Sequence, residues 1–137
     1  MSDVRGVLVT HGAMAQGMVD AVRRISGAPD DALVALSNDG CSPEVLRDAI
    51  GGALGEGPVI VFTDLGAGSC TLAARLSCAD RDRVAVISGV NLPMLLDFVF
   101  HRSLPVAELA ERLAEKGREG VRILTAPKAH VDRPVPG

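Results

Sequence analysis

His11 and Asp64 are the two residues of this chain whose positions favour chemistry. Each follows an apolar run that has the character of a buried strand: 6–9 before Thr10-His11, and 58–63 before Asp64. In an open α/β sheet, ligands bind at the carboxyl ends of the strands. If the two strands are neighbours, both side chains share one crevice. There the carboxylate fixes the tautomer of the imidazole and leaves its second nitrogen as a nucleophile.

Small residues beside His11 and Asp64 offer backbone N–H groups for an anion. A helix is predicted to begin after Gly12, and another near Ser69, whose hydroxyl adds a further hydrogen bond. Helix N-termini carry unpaired N–H groups and a partial positive charge, which suit a phosphate. Nucleophile, orienting carboxylate and anion site together predict a transient phosphohistidine. The predicted phosphate-binding residues are Thr10, Gly12, Leu65, Gly66, Ala67 and Gly68.

Each of these residues also has a purely structural interpretation. A histidine at a strand end is more often structural than catalytic, and Asp64 can simply cap a glycine turn. Ser69 can be a plain N-cap. Cys70 is better explained as a small buried packing residue than as a second nucleophile. The joint occurrence of such residues at two strand ends is what favours the functional interpretation.

The elements that must position these residues alternate along the chain. We predict strands at 6–9, 32–36, 58–63, 83–88 and 120–124, and helices at about 13–25, from 42–43, at 69–79, after 89–93, and from 106 to an end at 117. Alternation of this kind implies right-handed crossovers and a mostly parallel, doubly wound α/β sheet with helices on both faces. The last strand follows two consecutive helices. It is either an antiparallel edge strand or pairs with another subunit.

Apolar residues at helical spacing predict the faces that four of the helices bury. The core candidates are Met14, Met18, Val22 and Ile25 in the first helix, Val45, Leu46, Ala49 and Ile50 in the second, Leu95, Leu96, Val99 and Phe100 in the fourth, and Val106, Leu109, Ala110 and Leu113 in the fifth.

Composition excludes several function classes. The chain has 137 residues, enough for one domain with a real core, and a net charge of −3. It contains no Trp, no Tyr and no basic run, so we expect no nucleic-acid binding. No apolar stretch approaches the roughly 20 residues that span a bilayer. Three cysteines without a C-x-x-C pair predict neither a disulfide framework nor a zinc knuckle, and a cytoplasmic location fits.

Four segments occur in series at compatible spacing: Thr10-His11-Gly12, Asp64-Leu-Gly-Ala-Gly-Ser69, Gly89-Val-Asn-Leu-Pro-Met-Leu95 and Lys116-Gly-Arg-Glu-Gly-Val121. Together they resemble the mannose-family EIIA component of the bacterial phosphoenolpyruvate-dependent sugar phosphotransferase system. The similarity covers about residues 4 to 125. We therefore assign 1–125 to an EIIA domain and 126–137, which holds three prolines, to a C-terminal tail expected to be mobile.

The resemblance implies a cytoplasmic phosphotransferase that works through a phosphohistidine and is usually a homodimer exchanging its last strand. It implies that His11 accepts a phosphoryl group from the carrier protein HPr and passes it to a IIB component. The phosphate would sit on Nε2, Asp64 would hold Nδ1, and Ser69 matches the serine of the family loop. No metal and no organic cofactor is implied.

The loop after Asp64 departs from the family pattern, which usually has two adjacent glycines and a proline after the serine. Here it reads Gly66-Ala-Gly68-Ser69-Cys70, so the loop geometry and the role of Cys70 stay open. Two alternatives within the family are a regulatory EIIA controlled by its phosphorylation state and a phosphoryl donor to dihydroxyacetone kinase. A histidine phosphatase is disfavoured because Thr10 stands where that class has arginine. A flavodoxin-like ligand-binding domain without chemistry is the remaining alternative.

Overall fold

The sheet is the first feature that the sequence dictates and the one that positions the site. The computed structural model describes residues 2–126. It contains four strands, β1 (Arg5–Thr10), β2 (Leu33–Ser37), β3 (Val59–Thr63) and β4 (Val84–Ser88). All pairings are parallel and the order is β2-β1-β3-β4. The chain leaves β1 on one side for β2 and returns on the other side as β3, so the topological switch point lies between β1 and β3.

The predicted α/β class with a parallel sheet covered on both faces is confirmed. The helices are α1 (Met14–Ser26), α2 (Pro43–Leu54), α3 (Ser69–Cys78), α4 (Leu92–Val99) and α5 (Val106–Glu119). One core cluster joins α1, α4 and α5 to the sheet, and a second joins α2 and α3 to its other face. β3 is buried throughout because it lies between these two layers. None of the helices within residues 2–126 is both long and apolar enough to cross a bilayer.

Some predicted core positions turn out to be exposed. The side chains of Met14, Ile25, Val45 and Phe100 are 42%, 62%, 53% and 68% exposed, and Ala49 is exposed as well. Apolar spacing predicts which side of a helix can be buried. The ends of the helix nevertheless extend past the layer on which the helix packs. The buried positions of α1 are Ala15, Val19 and Val22.

The predicted end of α5 at Gly117 is wrong. The helix continues to Glu119, and Gly117 lies buried inside it. A Cβ atom at Gly117 would lie 2.6 Å from the Cε atom of Met94, so glycine is needed there for the close approach of α5 to α4. A glycine near the end of a helical pattern indicates either a stop or close packing, and here it serves packing.

The predicted strand at 120–124 is not formed in the single chain. Residues 121–126 have no regular secondary structure, and the side chains of Val121, Ile123 and Leu124 are 79%, 94% and 85% exposed. A strand exists only beside a hydrogen-bonded neighbour, and no strand within residues 2–126 pairs with this segment. Apart from Ala126, the predicted tail lies outside the described residues.

Candidate functional site

His11 and Asp64 lie at the carboxyl ends of adjacent strands and touch. Because β1 pairs with β3, with Val9 opposite Thr63, the residues that follow meet at the switch point. His11 Nδ1 lies 2.8 Å from Asp64 Oδ2, and the His11 backbone N–H donates to the same oxygen at 2.9 Å. The Leu65 N–H donates to Asp64 Oδ1 at 3.0 Å. The structure therefore brings together the two residues that the sequence placed at separate strand ends.

The Asp64 carboxylate determines which nitrogen of the neutral His11 ring carries the proton. Burial raises the pKa of the Asp64 carboxyl, but hydrogen bonds from the backbone and side chain of His11, and its charge, lower the pKa below the ordinary 3.8. An ionised carboxylate only accepts hydrogen bonds, so the proton of the neutral ring is assigned to Nδ1. Nε2 then carries the lone pair. The His11 side chain is 45% exposed while that of Asp64 is 8% exposed, so the ring is accessible above a buried anion.

The turn that carries His11 is fixed from both sides. The Thr10 hydroxyl, fully buried, accepts a hydrogen bond from the Ala15 N–H at 2.7 Å and so ties β1 to the start of α1. The Gly12 N–H donates to Asn38 Oδ1 at 3.3 Å, and Gly12 has a φ of 59°, which favours glycine. Thr10 thus lies beneath the site, where its hydroxyl supports the turn.

The loop from Asp64 to Ser69 is held by two buried threonines. The Thr71 hydroxyl donates to the Leu65 carbonyl, and the hydroxyls of Thr63 and Thr71 lie 2.7 Å apart. Because the Thr71 proton goes to Leu65, Thr63 is the donor to Thr71. This pair anchors the exposed part of the loop to the end of β3.

The N-terminus of α3 lies beside the His11 ring. Its N-cap is Gly68, with a φ of 109° and no side-chain cap, and a Cβ atom there would lie 4.0 Å from His11 Cε1. The first N–H groups of a helix have no partner within the helix, and their dipoles favour an anion. Ser69 opens this helix with an exposed side chain, and Gly66 and Ala67 are exposed in the preceding loop. The predicted phosphate-binding residues of this loop therefore surround an uncapped helix end next to the ring.

Cys70 lies directly under the histidine. Its Sγ is 3.8 Å from His11 Nδ1, and the residue is 1% exposed. Burial and the charge of Asp64 raise the pKa of the thiol, and a hydrogen bond with Ser69 lowers it less. A buried thiol with a raised pKa is a poor nucleophile, which favours the packing interpretation over the nucleophilic one. The ligating atoms of His11, Asp64 and Cys70 nevertheless all lie within 4.8 Å of one another, so this trio could hold a metal ion.

Sequence reasoning missed three residues that hold the site. Asn38 looked like an ordinary turn residue, and Thr63 and Thr71 like a strand end and a position in a small-residue helix. A signal for the threonines was present, since each is polar at a position that the neighbouring apolar pattern assigns to the core. For Asn38 the local sequence held no signal, because its contact with Gly12 depends on the pairing of β1 with β2.

Comparisons with known proteins agree with the fold. The family model EIIA-man, described as "PTS system fructose IIA component", matches residues 6–116. The mannose-specific EIIAB component of the phosphotransferase system from Escherichia coli K12 is 35% identical over 80 residues. That match covers 57% of this chain but only a quarter of the relative's length.

Two solved structures share the fold over nearly their whole length. The phosphotransferase component EIIA from Streptococcus agalactiae has a TM-score of 0.81 at 23% identity, over 88% of this chain and 96% of its own. The mannose/sorbose specific IIA subunit from Enterococcus faecalis has a TM-score of 0.82 at 23% identity, over 93% of this chain and 98% of its own. At this level of identity, the likeness shows the architecture.

Proposed function

The chain belongs to the EIIA-man family of phosphotransferase-system IIA components, and we propose that its His11 accepts a phosphoryl group from phospho-HPr and passes it to a IIB component. The observation that carries the proposal is the 2.8 Å contact between His11 Nδ1 and Asp64 Oδ2. It holds the ring proton on Nδ1 and leaves Nε2 as the acceptor atom.

In the proposed step, the Nε2 lone pair of His11 attacks phosphorus in line with the bond to the donor. That bond breaks, and its electron pair stays with the donor. The His11 ring becomes cationic as the new N–P bond forms, and the Asp64 carboxylate stabilises this charge from the opposite side of the ring. The Asp64 side chain is 8% exposed and the His11 side chain is 45% exposed, so solvent screens the interaction in part. Transfer to IIB is the reverse step with a different partner.

The phosphoryl oxygens need hydrogen-bond donors, and α3 supplies them in this proposal. Its uncapped N-terminus at Gly68 lies against the ring, and the exposed Ser69 hydroxyl stands at its first position. Backbone N–H groups and a hydroxyl can bind the transferred group without a metal ion. Gly66 and Gly68 allow the backbone to approach the phosphoryl group closely.

Exposed apolar side chains around His11 support a docking role. Met14 at the start of α1 is 42% exposed. Leu65 in the loop before α3 and Leu72 in the first turn of α3 are each 58% exposed. Exposed apolar side chains on the segments that directly follow His11 and Asp64 suit an interaction surface. We propose that HPr and IIB bind alternately to this rim in the cytoplasm.

We further propose that the protein is a homodimer in which segment 121–125 pairs with a second copy. In the single chain, Phe100, Val121, Ile123 and Leu124 leave apolar surface exposed near the end of α5. Light scattering on the full chain is expected to give twice the chain mass, and a chain ending at Gly120 is expected to give a monomer. A monomeric full chain would contradict the proposal.

Intact-mass analysis tests the carrier role. Incubation with phosphoenolpyruvate, enzyme I and HPr is expected to add one phosphate, which mild acid removes and which subsequent addition of IIB removes as well. His11→Ala is expected to gain none, and His101→Ala is the matched control that keeps the phosphate. With donors shown to be active on another EIIA, an unphosphorylated wild-type chain would contradict the proposal.

A further inference from the structure

Three different metal-ligating groups converge at the end of β1. The imidazole of His11, the carboxylate of Asp64 and the thiol of Cys70 come from three separate elements of the fold: the turn after β1, the end of β3 and the start of α3. Their ligating atoms all lie within 4.8 Å of one another. The proposed phosphoryl transfer to His11 uses the first two groups and gives the thiol no chemical role.

The chemistry of this donor set suits zinc. One nitrogen, one sulfur and one oxygen ligand suit Zn²⁺, whereas Mg²⁺ and Ca²⁺ prefer oxygen ligands throughout. In a tetrahedral zinc site with bonds of about 2.0 Å to nitrogen and about 2.3 Å to sulfur, those two ligands lie about 3.5 Å apart. The observed distance from His11 Nδ1 to Cys70 Sγ is 3.8 Å. The site is therefore close to the required size before any ion enters.

The carboxylate has to move away from the His11 ring to bind an ion. Asp64 Oδ2 is 2.8 Å from His11 Nδ1 because a proton lies between them. Tetrahedral nitrogen and oxygen ligands of zinc lie about 3.3 Å apart, so loss of that proton and a shift of about 0.5 Å would bring this pair to the required spacing. The other Asp64 oxygen keeps its hydrogen bond from the Leu65 N–H, which orients the carboxylate as an outer partner orients a zinc ligand.

Access to these groups is one-sided. The side chain of Asp64 is 8% exposed and Cys70 is 1% exposed, while the His11 side chain above them is 45% exposed. An ion can therefore enter past the ring and keep a water molecule as its fourth ligand. Three protein ligands with one open position are a common arrangement for zinc.

We propose that His11 Nδ1, Asp64 and Cys70 bind one Zn²⁺ ion, and that bound zinc and a phosphoryl group on His11 exclude one another. Zinc displaces the thiol proton of Cys70, which leaves to solvent. The ring proton moves from Nδ1 to Nε2 through solvent, because Nδ1 now donates its lone pair to the ion. With a hydrogen on Nε2, His11 has no lone pair for the phosphoryl group. Binding of zinc rests on the geometry alone, and the exclusion rests on the proposed function.

Titration of the metal-free, reduced and untagged full chain with Zn²⁺ tests the binding. One ion per chain is expected, and Cys70→Ser is expected to weaken binding at least about 100-fold, since loss of a direct ligand exceeds the 10–100-fold cost of losing an outer partner. Cys41→Ser and Cys78→Ser are matched controls, outside the trio, that keep the wild-type affinity. Co²⁺ should give a thiolate-to-cobalt absorption band in the wild type and none in Cys70→Ser. No binding by the wild type, or equal binding by Cys70→Ser, would overturn the proposal.

A second measurement separates the two proposals. Without zinc, the rate at which HPr phosphorylates the chain tests the carrier role alone. With saturating zinc, phosphorylation of the wild type is expected to fall at least tenfold and to recover with a chelator. Phosphorylation of HPr by enzyme I at the same zinc concentration, measured without the chain, shows whether either donor is itself inhibited. A wild-type chain that binds zinc through Cys70 yet is phosphorylated at an unchanged rate would contradict the exclusion and leave the carrier role standing.

Discussion

His11 and His101 each lie beside an aspartate, but the two pairs are built differently. Asp64 is 53 positions from His11 in the sequence and meets its Nδ1 at 2.8 Å. Asp97 stands one helical turn before His101, and its carboxylate is 3.4 Å from the ring nitrogen. His101 Nδ1 instead lies 2.8 Å from the Asp97 backbone oxygen. Both contacts place the ring proton on Nδ1, so the tautomer does not distinguish the two histidines.

The carboxylates differ in what else they bind. Both oxygens of Asp97 accept hydrogen bonds from Arg112, at 2.7 and 3.0 Å. Within residues 2–126, Asp64 pairs with no lysine or arginine. The charge of Asp97 is thus already compensated and holds α4 against α5. That of Asp64 is available to a cationic His11 ring.

The helix ends near the two rings have opposite polarity. His11 lies beside the N-terminus of α3, whereas His101 follows the C-terminal end of α4 at Val99. A helix N-terminus favours an anion and a C-terminus disfavours one. The proposed acceptor role uses an Nδ1–H tautomer, an uncompensated carboxylate and a positive helix end together. Only the His11 pair combines the three.

The largest expected effect is on the rate of phosphorylation, when the charge of Asp64 is removed and the charge of Asp97 is removed for comparison. Asp64→Asn is expected to slow phosphorylation of His11 by about 10²–10⁴-fold, because it removes the charge that stabilises the cationic ring and can reverse its tautomer. Asp97→Asn should change that rate less than about threefold and mainly lower stability, since its carboxylate binds Arg112. Rates from quenched intact-mass time courses measure both. Similar losses in the two variants would contradict the distinction.

Loss of the hydrogen bond between the Thr10 hydroxyl and the Ala15 N–H should lower the free energy of unfolding. Thr10→Val keeps the shape of the side chain but leaves the Ala15 N–H unpaired and buried, so we expect a loss of about 1–3 kcal/mol in the free energy of unfolding. Urea denaturation gives this quantity. Ser103→Ala, which removes a hydroxyl at an exposed turn position, is the control and should stay close to wild type. An unchanged midpoint in Thr10→Val would show that the hydroxyl does not hold the turn.

The contact of Asn38 with the Gly12 N–H should have a smaller effect. Asn38→Ala removes one neutral hydrogen bond, of about 0.5–1.5 kcal/mol, and should slow phosphorylation by about 2–10-fold. Asp39→Ala changes the exposed neighbouring residue in the same turn and is expected to leave the rate unchanged. If both variants behave like wild type, the position of His11 does not depend on β2.

The smallest expected effect is in the pH dependence of stability. The pKa of Asp64 is lower in the folded chain than the ordinary 3.8, so its contribution is fully present above that value and is lost as pH falls through the lowered pKa. The difference in urea midpoint between wild type and Asp64→Asn should therefore shrink as the pH falls through 3.8 and below it. A difference that stays constant or grows on acidification would contradict the assigned shift.

Local features of the sequence predicted much of the fold and the two central residues of the site. The strand 58–63 could be predicted from its continuous apolar run, and His11 and Asp64 from their places after such runs. The contact between them depends on the pairing of β1 with β3, which local patterns do not specify. The same limit explains the exposed Phe100, since a helical pattern does not say where the neighbouring layer ends. It also explains Gly117, whose close packing against Met94 has no local signature.

The most direct test of the account is NMR of chain labelled with ¹⁵N-histidine, before and after phosphorylation. In the unmodified protein, the account predicts a proton on Nδ1 of both His11 and His101. After incubation with the donors, a phosphorus coupling should appear on Nε2 of His11 while the His101 signals stay unchanged. A phosphoryl group on Nδ1 of His11, or on His101, would contradict the role assigned to Asp64 and to the N-terminus of α3.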